Sequence, residues 1–204
     1  GVNLDINPTD VGKILHDQKF VFLFAQRFHP CFRNIAPIRH ELGIRTLFNL
    51  LGPLINPSRP THILLGVARP NLVRLMAETL AQSSIYRAAV VCGAGGYDEI
   101  TPIGPNEMII LNDGALHTLT LDPADYGIPP CTPEDLAVNS RDEAVAVLKE
   151  LLAGRGPDAM RNMLTLNVGM AIHLLEEKLP LATCMAKARE ALASGAGGKV
   201  LHAA

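Results

Sequence analysis

The amino-acid sequence predicts an α/β protein built on a mostly parallel sheet, with an antiparallel hairpin at its edge and helices flanking it. Three observations carry this expectation. The apolar runs "KFVFLFA", "HILLGVA" and "RAAVVCG" have strand length and lack the alternation of a half-solvated sheet, so they suit strands covered on both faces. Between the second and third lies "PNLVRLMAETLAQ", a helical pattern opened by Pro70, and strand, helix, strand in that order implies a right-handed parallel crossover. In "EMIILNDGALHTLTL", Asn112, Asp113 and Gly114 separate two apolar runs and mark a hairpin turn.

Taken along the chain, Asn7, Pro8, Thr9 and Asp10 supply caps and a first-turn proline for a short helix that carries Val11, Ile14 and Leu15. The run at residues 19–25 is the first expected strand, ending at the polar Gln26, Arg27 and His29. Pro30 can open the next helix, whose apolar positions Phe32, Ile35, Ile38 and Leu42 repeat every three or four residues; Pro37 should kink it and Gly43 end it. The stretch "RHELGIRTLFNLLGPLINP" then breaks on Gly52-Pro53 and Asn56-Pro57. Strands at residues 62–68 and 87–93 enclose the crossover helix. A proline-punctuated connector follows the hairpin, and residues 141–153, 158–178 and 181–194 read as helices separated by Gly154, Gly156-Pro157 and Pro180. The whole, residues 1–204, reads as a single α/β domain. The opening "GVNLDINP" resembles a connection between elements, so a fragment is expected.

The 204 residues are 48% apolar, enough to bury a sizeable interior, and carry a net charge of −2 with the two signs interleaved. No block of lysines or arginines gives the footprint of a nucleic-acid or anionic-membrane partner. The longest apolar runs fall far short of the ~20 residues of a membrane helix. Cys31, Cys92, Cys131 and Cys184 are irregularly spaced, which fits reduced thiols in the cytoplasm better than a zinc or redox motif.

Ligands of open parallel sheets sit beyond the carboxyl ends of the strands. Two such ends are chemically busy here, "QRFHP" and "GAGGYDEI". In the second, Gly93, Gly95 and Gly96 permit close backbone approach or positive φ, and Asp98 and Glu99 stand directly behind them. Adjacent carboxylates can hold magnesium, which favours oxygen ligands and bridges to substrate phosphates; an ordinary turn with two solvated acids fits the same pattern. Arg39 could grip a carboxylate through its fork, or pair on the surface with Glu41, and His29 could equally be a capping histidine. The other histidines show no metal-ligand spacing. No nucleophile elbow, P-loop or complete dinucleotide motif is present.

Taken together, "GVNLD", "FLFAQRFHP", "RNIAPIRHELGIRTLFNLLGPLINP", "LLGVARP" and "VVCGAGGYDEI" resemble the anthranilate phosphoribosyltransferase family of tryptophan biosynthesis, in the same order and along the whole chain. The resemblance implies transfer of the 5-phosphoribosyl group from phosphoribosyl diphosphate to the amine of anthranilate, with release of pyrophosphate. By position it makes Arg39 the contact to the anthranilate carboxylate, lines the anthranilate passage with His29, Gly52 and Pro53, and gives Asp98 and Glu99 the magnesium that accompanies pyrophosphate. No covalent nucleophile is implied. The family's N-terminal helical domain, through which it commonly dimerises, and its glycine-rich phosphate loop correspond to nothing in these residues, so the isolated chain is expected to be inactive. A pyrimidine nucleoside phosphorylase-like enzyme is the alternative within the fold; a non-catalytic nucleic-acid-binding relative is the alternative outside catalysis.

Overall fold

The computed structural model describes residues 3–30, 41 and 48–203, which fall into two compact units. The first comprises Gly1–Arg59 with Gly198–Ala204, and the second Pro60–Gly197.

In the first unit, Asn7 accepts a hydrogen bond from the Thr9 N–H through Oδ1 and leads by way of a single 3-10 turn, Pro8–Asp10, into helix α1, Val11–Gln18. Lys19 ends α1 in the left-handed conformation (φ 60°), with its N–H donating to the Leu15 carbonyl. The expected strand at residues 19–25 does not form a ladder among the described residues. Its two ends are taken by helices, Lys19 as the cap of α1 and Ala25 as the start of the one-turn helix α2, Ala25–Phe28. Between them the chain is irregular, and Phe22 is 47% exposed. The Arg27 Nε of α2 lies 3.4 Å from the Ile6 carbonyl oxygen and 3.5 Å from Asp5 Oδ1, which ties α2 to the N-terminal segment.

Helix α3, Phe48–Leu54, corrects a second expectation: Gly52-Pro53 lies inside it and does not break it. Proline removes one donor and crowds the preceding turn, and the helix stops one residue later, at Leu54. The proposed helix opened by Pro30 lies almost entirely outside the described residues.

The second unit is organised by a four-stranded mixed sheet of order β1-β2-β3-β4: β1 His62–Gly66, β2 Arg87–Cys92, β3 Asn106–Asn112 and β4 Ala115–Leu121. Strands β1 and β2 are parallel, with His62 opposite Arg87 and Gly66 opposite Val91. They are joined through α4, Pro70–Ala81, whose Val73, Met76, Ala77 and Leu80 are buried and which packs on β2 and β3. The β2–β3 and β3–β4 pairs are antiparallel. The described sheet is therefore less parallel than the sequence suggests, because the link from β2 to β3 contains no crossover helix, without which the next strand returns antiparallel. The hairpin turns where expected: Asp113 and Gly114 both take positive φ (45° and 79°), the requirement of a two-residue type I′ turn.

The opposite face of the sheet is covered by α6, Asp158–Leu175, and α7, Leu181–Ala193; α5, Arg141–Leu152, precedes them and α8, Ala196–Ala203, follows. Ala89, Val91, Met108 and Leu121 of the sheet meet Leu166, Met170 and Leu174 of α6 and Met185 of α7 in one core. Gly169 permits the close approach of the two helices, since a Cβ there would lie 2.3 Å from the Met185 sulfur. Arg87, 4% exposed, donates from Nη1 to the Leu174 and His173 carbonyls, placing a cation on the negative end of α6. Among the described residues no helix is long and apolar enough to cross a membrane.

Candidate functional site

Beyond the carboxyl end of β2, residues 93–101 form a loop whose path is set by glycine and by buried amides. Gly96 donates its N–H to the Gly93 carbonyl (3.0 Å), and Gly93 donates to the Tyr97 carbonyl (2.8 Å), closing a tight turn. Gly95 and Gly96 lie at φ 83° and 81°, where a side chain would be strained. The chain then passes directly over two strand ends. A Cβ on Gly66, the last residue of β1, would lie 1.5 Å from the Asp98 carbonyl oxygen. A Cβ on Gly93 would lie 1.9 Å from that of Glu99. The backbone of both acidic residues thus occupies space that only glycine leaves free.

Two asparagines hold the loop from below. Asn106, fully buried at the start of β3, accepts through Oδ1 from the N–H groups of Thr101 (2.8 Å) and Ala94 (3.1 Å). Its amide nitrogen reaches the carbonyls of Gly104 (2.8 Å), Thr101 (3.0 Å) and Leu121 (3.3 Å). Thr101 returns a bond to the Ala94 carbonyl (2.9 Å). From α6, Asn167 accepts from the Ile100 N–H (3.1 Å) and donates to the Ile100 carbonyl (2.8 Å). Ile100 is fully buried in the core, so the residue following Glu99 is anchored by both backbone and side chain.

Against this rigid base Asp98 and Glu99 are exposed. Desolvation, and then repulsion from Asp98, push the Glu99 carboxyl above the ordinary carboxylate range. A cation between them would relieve that repulsion. Among the described residues no group of three or more His, Cys, Asp or Glu side chains could hold a metal. Two adjacent carboxylates could serve a hard cation that keeps its waters and completes its shell with phosphate oxygens.

The other candidate residues lie in the first unit. His29 is half-buried and follows α2, its N–H donating to the Ala25 carbonyl at 2.9 Å. Gly52 and Pro53 occupy the last turn of α3; Gly52 is exposed, and among the described residues a Cβ on it would meet nothing within 4 Å. Arg39 lies outside the described residues. Sequence reasoning passed over Gly66, Thr101, Asn106 and Asn167. A signal existed for Asn167, an amide at the helical spacing of the apolar Met163, Met170 and Leu174, because a polar group on a core stripe has a partner to satisfy.

A family model described as "Glycosyl transferase family, a/b domain" matches residues 1–197. A protein of Nitratidesulfovibrio vulgaris (strain DSM 19637 / Miyazaki F) named anthranilate phosphoribosyltransferase is 61% identical, over all of this chain and 62% of its own length. The crystal structure of anthranilate phosphoribosyltransferase from Thermus thermophilus superposes with a TM-score of 0.88 at 36% identity, covering 99% of this chain and 60% of that one. The Saccharomyces cerevisiae enzyme in complex with PRPP and Mg gives a TM-score of 0.88 at 28% identity, with 99% and 58% covered. The chain thus spans about three fifths of the length of the relatives it matches.

Proposed function

The chain belongs to the glycosyl transferase family, whose a/b domain it carries, and on that premise we propose that it is the α/β portion of an anthranilate phosphoribosyltransferase. The activity is proposed for a protein of the relatives' full length: the 5-phosphoribosyl group of phosphoribosyl diphosphate passes to the amine of anthranilate and pyrophosphate leaves. The observation that carries the proposal is the pair of exposed carboxylates, Asp98 and Glu99, presented beyond the strand ends on a loop fixed by Gly66, Gly93, Asn106 and Asn167. The relatives' names and the yeast complex with PRPP and Mg support it.

Asp98 and Glu99 would hold magnesium, which supplies neutralisation of the departing pyrophosphate when bound. The protein's remaining task is positioning. An aromatic amine is already neutral at physiological pH, so no strong base is required, and no residue is assigned as a covalent nucleophile. Arg39 would fix the anthranilate carboxylate, and His29, Gly52 and Pro53 would line the passage that brings the amine to the ribose. The same names disfavour the nucleoside phosphorylase and nucleic-acid-binding alternatives. We further propose a cytoplasmic homodimer for the longer protein.

Steady-state kinetics of Arg39→Ala in a protein of the relatives' length test the assignment. Loss of a charge-assisted bond should raise the KM for anthranilate roughly ten- to a hundredfold while that for phosphoribosyl diphosphate changes little. Lysine, lacking the fork, should rescue only in part. Equal shifts for both substrates, or none, would remove Arg39 from the anthranilate site.

A further inference from the structure

On the α4 side of the sheet, behind the glycine turn, lies a cleft of about 430 Å³, within the range of small-molecule sites. Its charged groups are of opposite sign and come from different elements. Arg74 stands on the first turns of α4, and Glu107 on β3, opposite Cys92 of β2. Among the described residues the two do not pair with each other, and Glu107 has no ion-pair partner. Among the described residues Arg74 is held only by Glu78 one turn along its helix, at 3.4 Å, with side chains 69% and 52% exposed. Such an exposed pair gives way readily to a better acceptor.

The same cleft has an apolar wall. Val73 and Ile109 are 7% and 8% exposed, and Pro70 completes the lining at the start of α4. Gly95 and Gly96 also line the cleft, and among the described residues a Cβ on Gly96 would meet nothing within 4 Å. The buried Cys92 thiol is pushed up by desolvation, then by Glu107 and Asp98, which keeps it protonated as part of the lining.

A cleft with one cation would select an anion, and one with a lone carboxylate would select an amine. Opposite charges that line one cleft without pairing to each other, beside an apolar wall, match a ligand that carries both. We propose that this cleft binds an apolar α-amino acid, its carboxylate on Arg74, its ammonium on Glu107 and its side chain against Val73 and Ile109. The site is distinct from the Asp98 and Glu99 carboxylates and does not rest on the transferase assignment.

Isothermal titration calorimetry of the 204-residue chain with L-leucine and L-phenylalanine tests the proposal. The comparison ligands are 4-methylpentanoate and 3-methylbutylamine, which are leucine without its amine and without its carboxylate. At least one amino acid should bind with a Kd of about 1 mM or tighter, and each single-charge analogue should bind at least about tenfold more weakly. Arg74→Gln and Glu107→Gln should each weaken the amino acid by a similar factor at unchanged Tm, since both side chains lie at the surface. In amide NMR spectra the ligand should move the Gly95 and Gly96 resonances. Absence of binding by both amino acids at about 10 mM, equal binding of the analogues, or unchanged affinity in both variants would overturn the proposal.

Discussion

The loop carrying Asp98 and Glu99 and the segments carrying His29, Gly52 and Pro53 show two ways of placing the residues proposed to function. In the loop, the acidic side chains are exposed while the backbone beneath them is pinned by two close-approach glycines and two asparagine clamps. In the first unit, His29 follows a one-turn helix, and Gly52 sits at the end of another helix, where a side chain would meet none of the described residues within 4 Å. A carboxylate pair must be held at fixed separation to serve one cation, which calls for a rigid base. The contrast also predicts where substitution damages the fold and where it reaches function alone.

The largest effect is expected at Asn106. Its removal as Asn106→Ala strands the Thr101 and Ala94 N–H groups and the carbonyls it serves, in buried and part-buried positions. The cost should be about 3 kcal/mol, read as a Tm lowered by roughly 6–12 °C. A loss of less than about 1 kcal/mol would show that the loop does not depend on this clamp.

Gly66→Ala should come next. The new methyl meets backbone, not a pliable side chain, so the loop must shift. We expect a destabilisation of about 1–3 kcal/mol, typical of overpacking, together with amide NMR shifts concentrated at Asp98 and Glu99. Shifts spread evenly over the second unit would contradict the close approach.

The smallest effect is expected in the other region. Gly52→Ala places a better helix former in open space, and thermal denaturation should show no change or a gain of at most ~1 kcal/mol. If Gly52 lines the anthranilate passage, the same variant should raise the KM for anthranilate in a protein of the relatives' length while leaving stability intact. A stability loss like that of Gly66→Ala would erase the contrast between the two regions.

Much of this was legible in the sequence. The helix opened by Pro70 and the Asp113-Gly114 turn are written in residue types whose backbone preferences act locally. So is the glycine turn ahead of Asp98. What the sequence hid is non-local. Nothing near Gly66 announces that a segment some thirty positions later will lie against it, and Asn106 reads as an ordinary polar residue after a Gly-Pro pair until the loop it serves is folded over it. The strand expected at residues 19–25 failed for a related reason. An apolar run states that it will be covered but not which neighbour supplies its ladder, and here the caps of two flanking helices claim both of its ends.

The central claim is that Asp98 and Glu99 hold a cation on a base that does not depend on their charge. The direct measurement is a magnesium titration of phosphoribosyl transfer by Asp98→Asn with Glu99→Gln, in a protein of the relatives' length, alongside thermal denaturation of the same variant. Both side chains are exposed and Glu99 is already disfavoured as an anion, by desolvation and then by Asp98. The account therefore predicts an unchanged or slightly raised Tm and a requirement for magnesium raised about tenfold or more. An unchanged magnesium titration, or loss of activity that merely follows loss of fold, would contradict it.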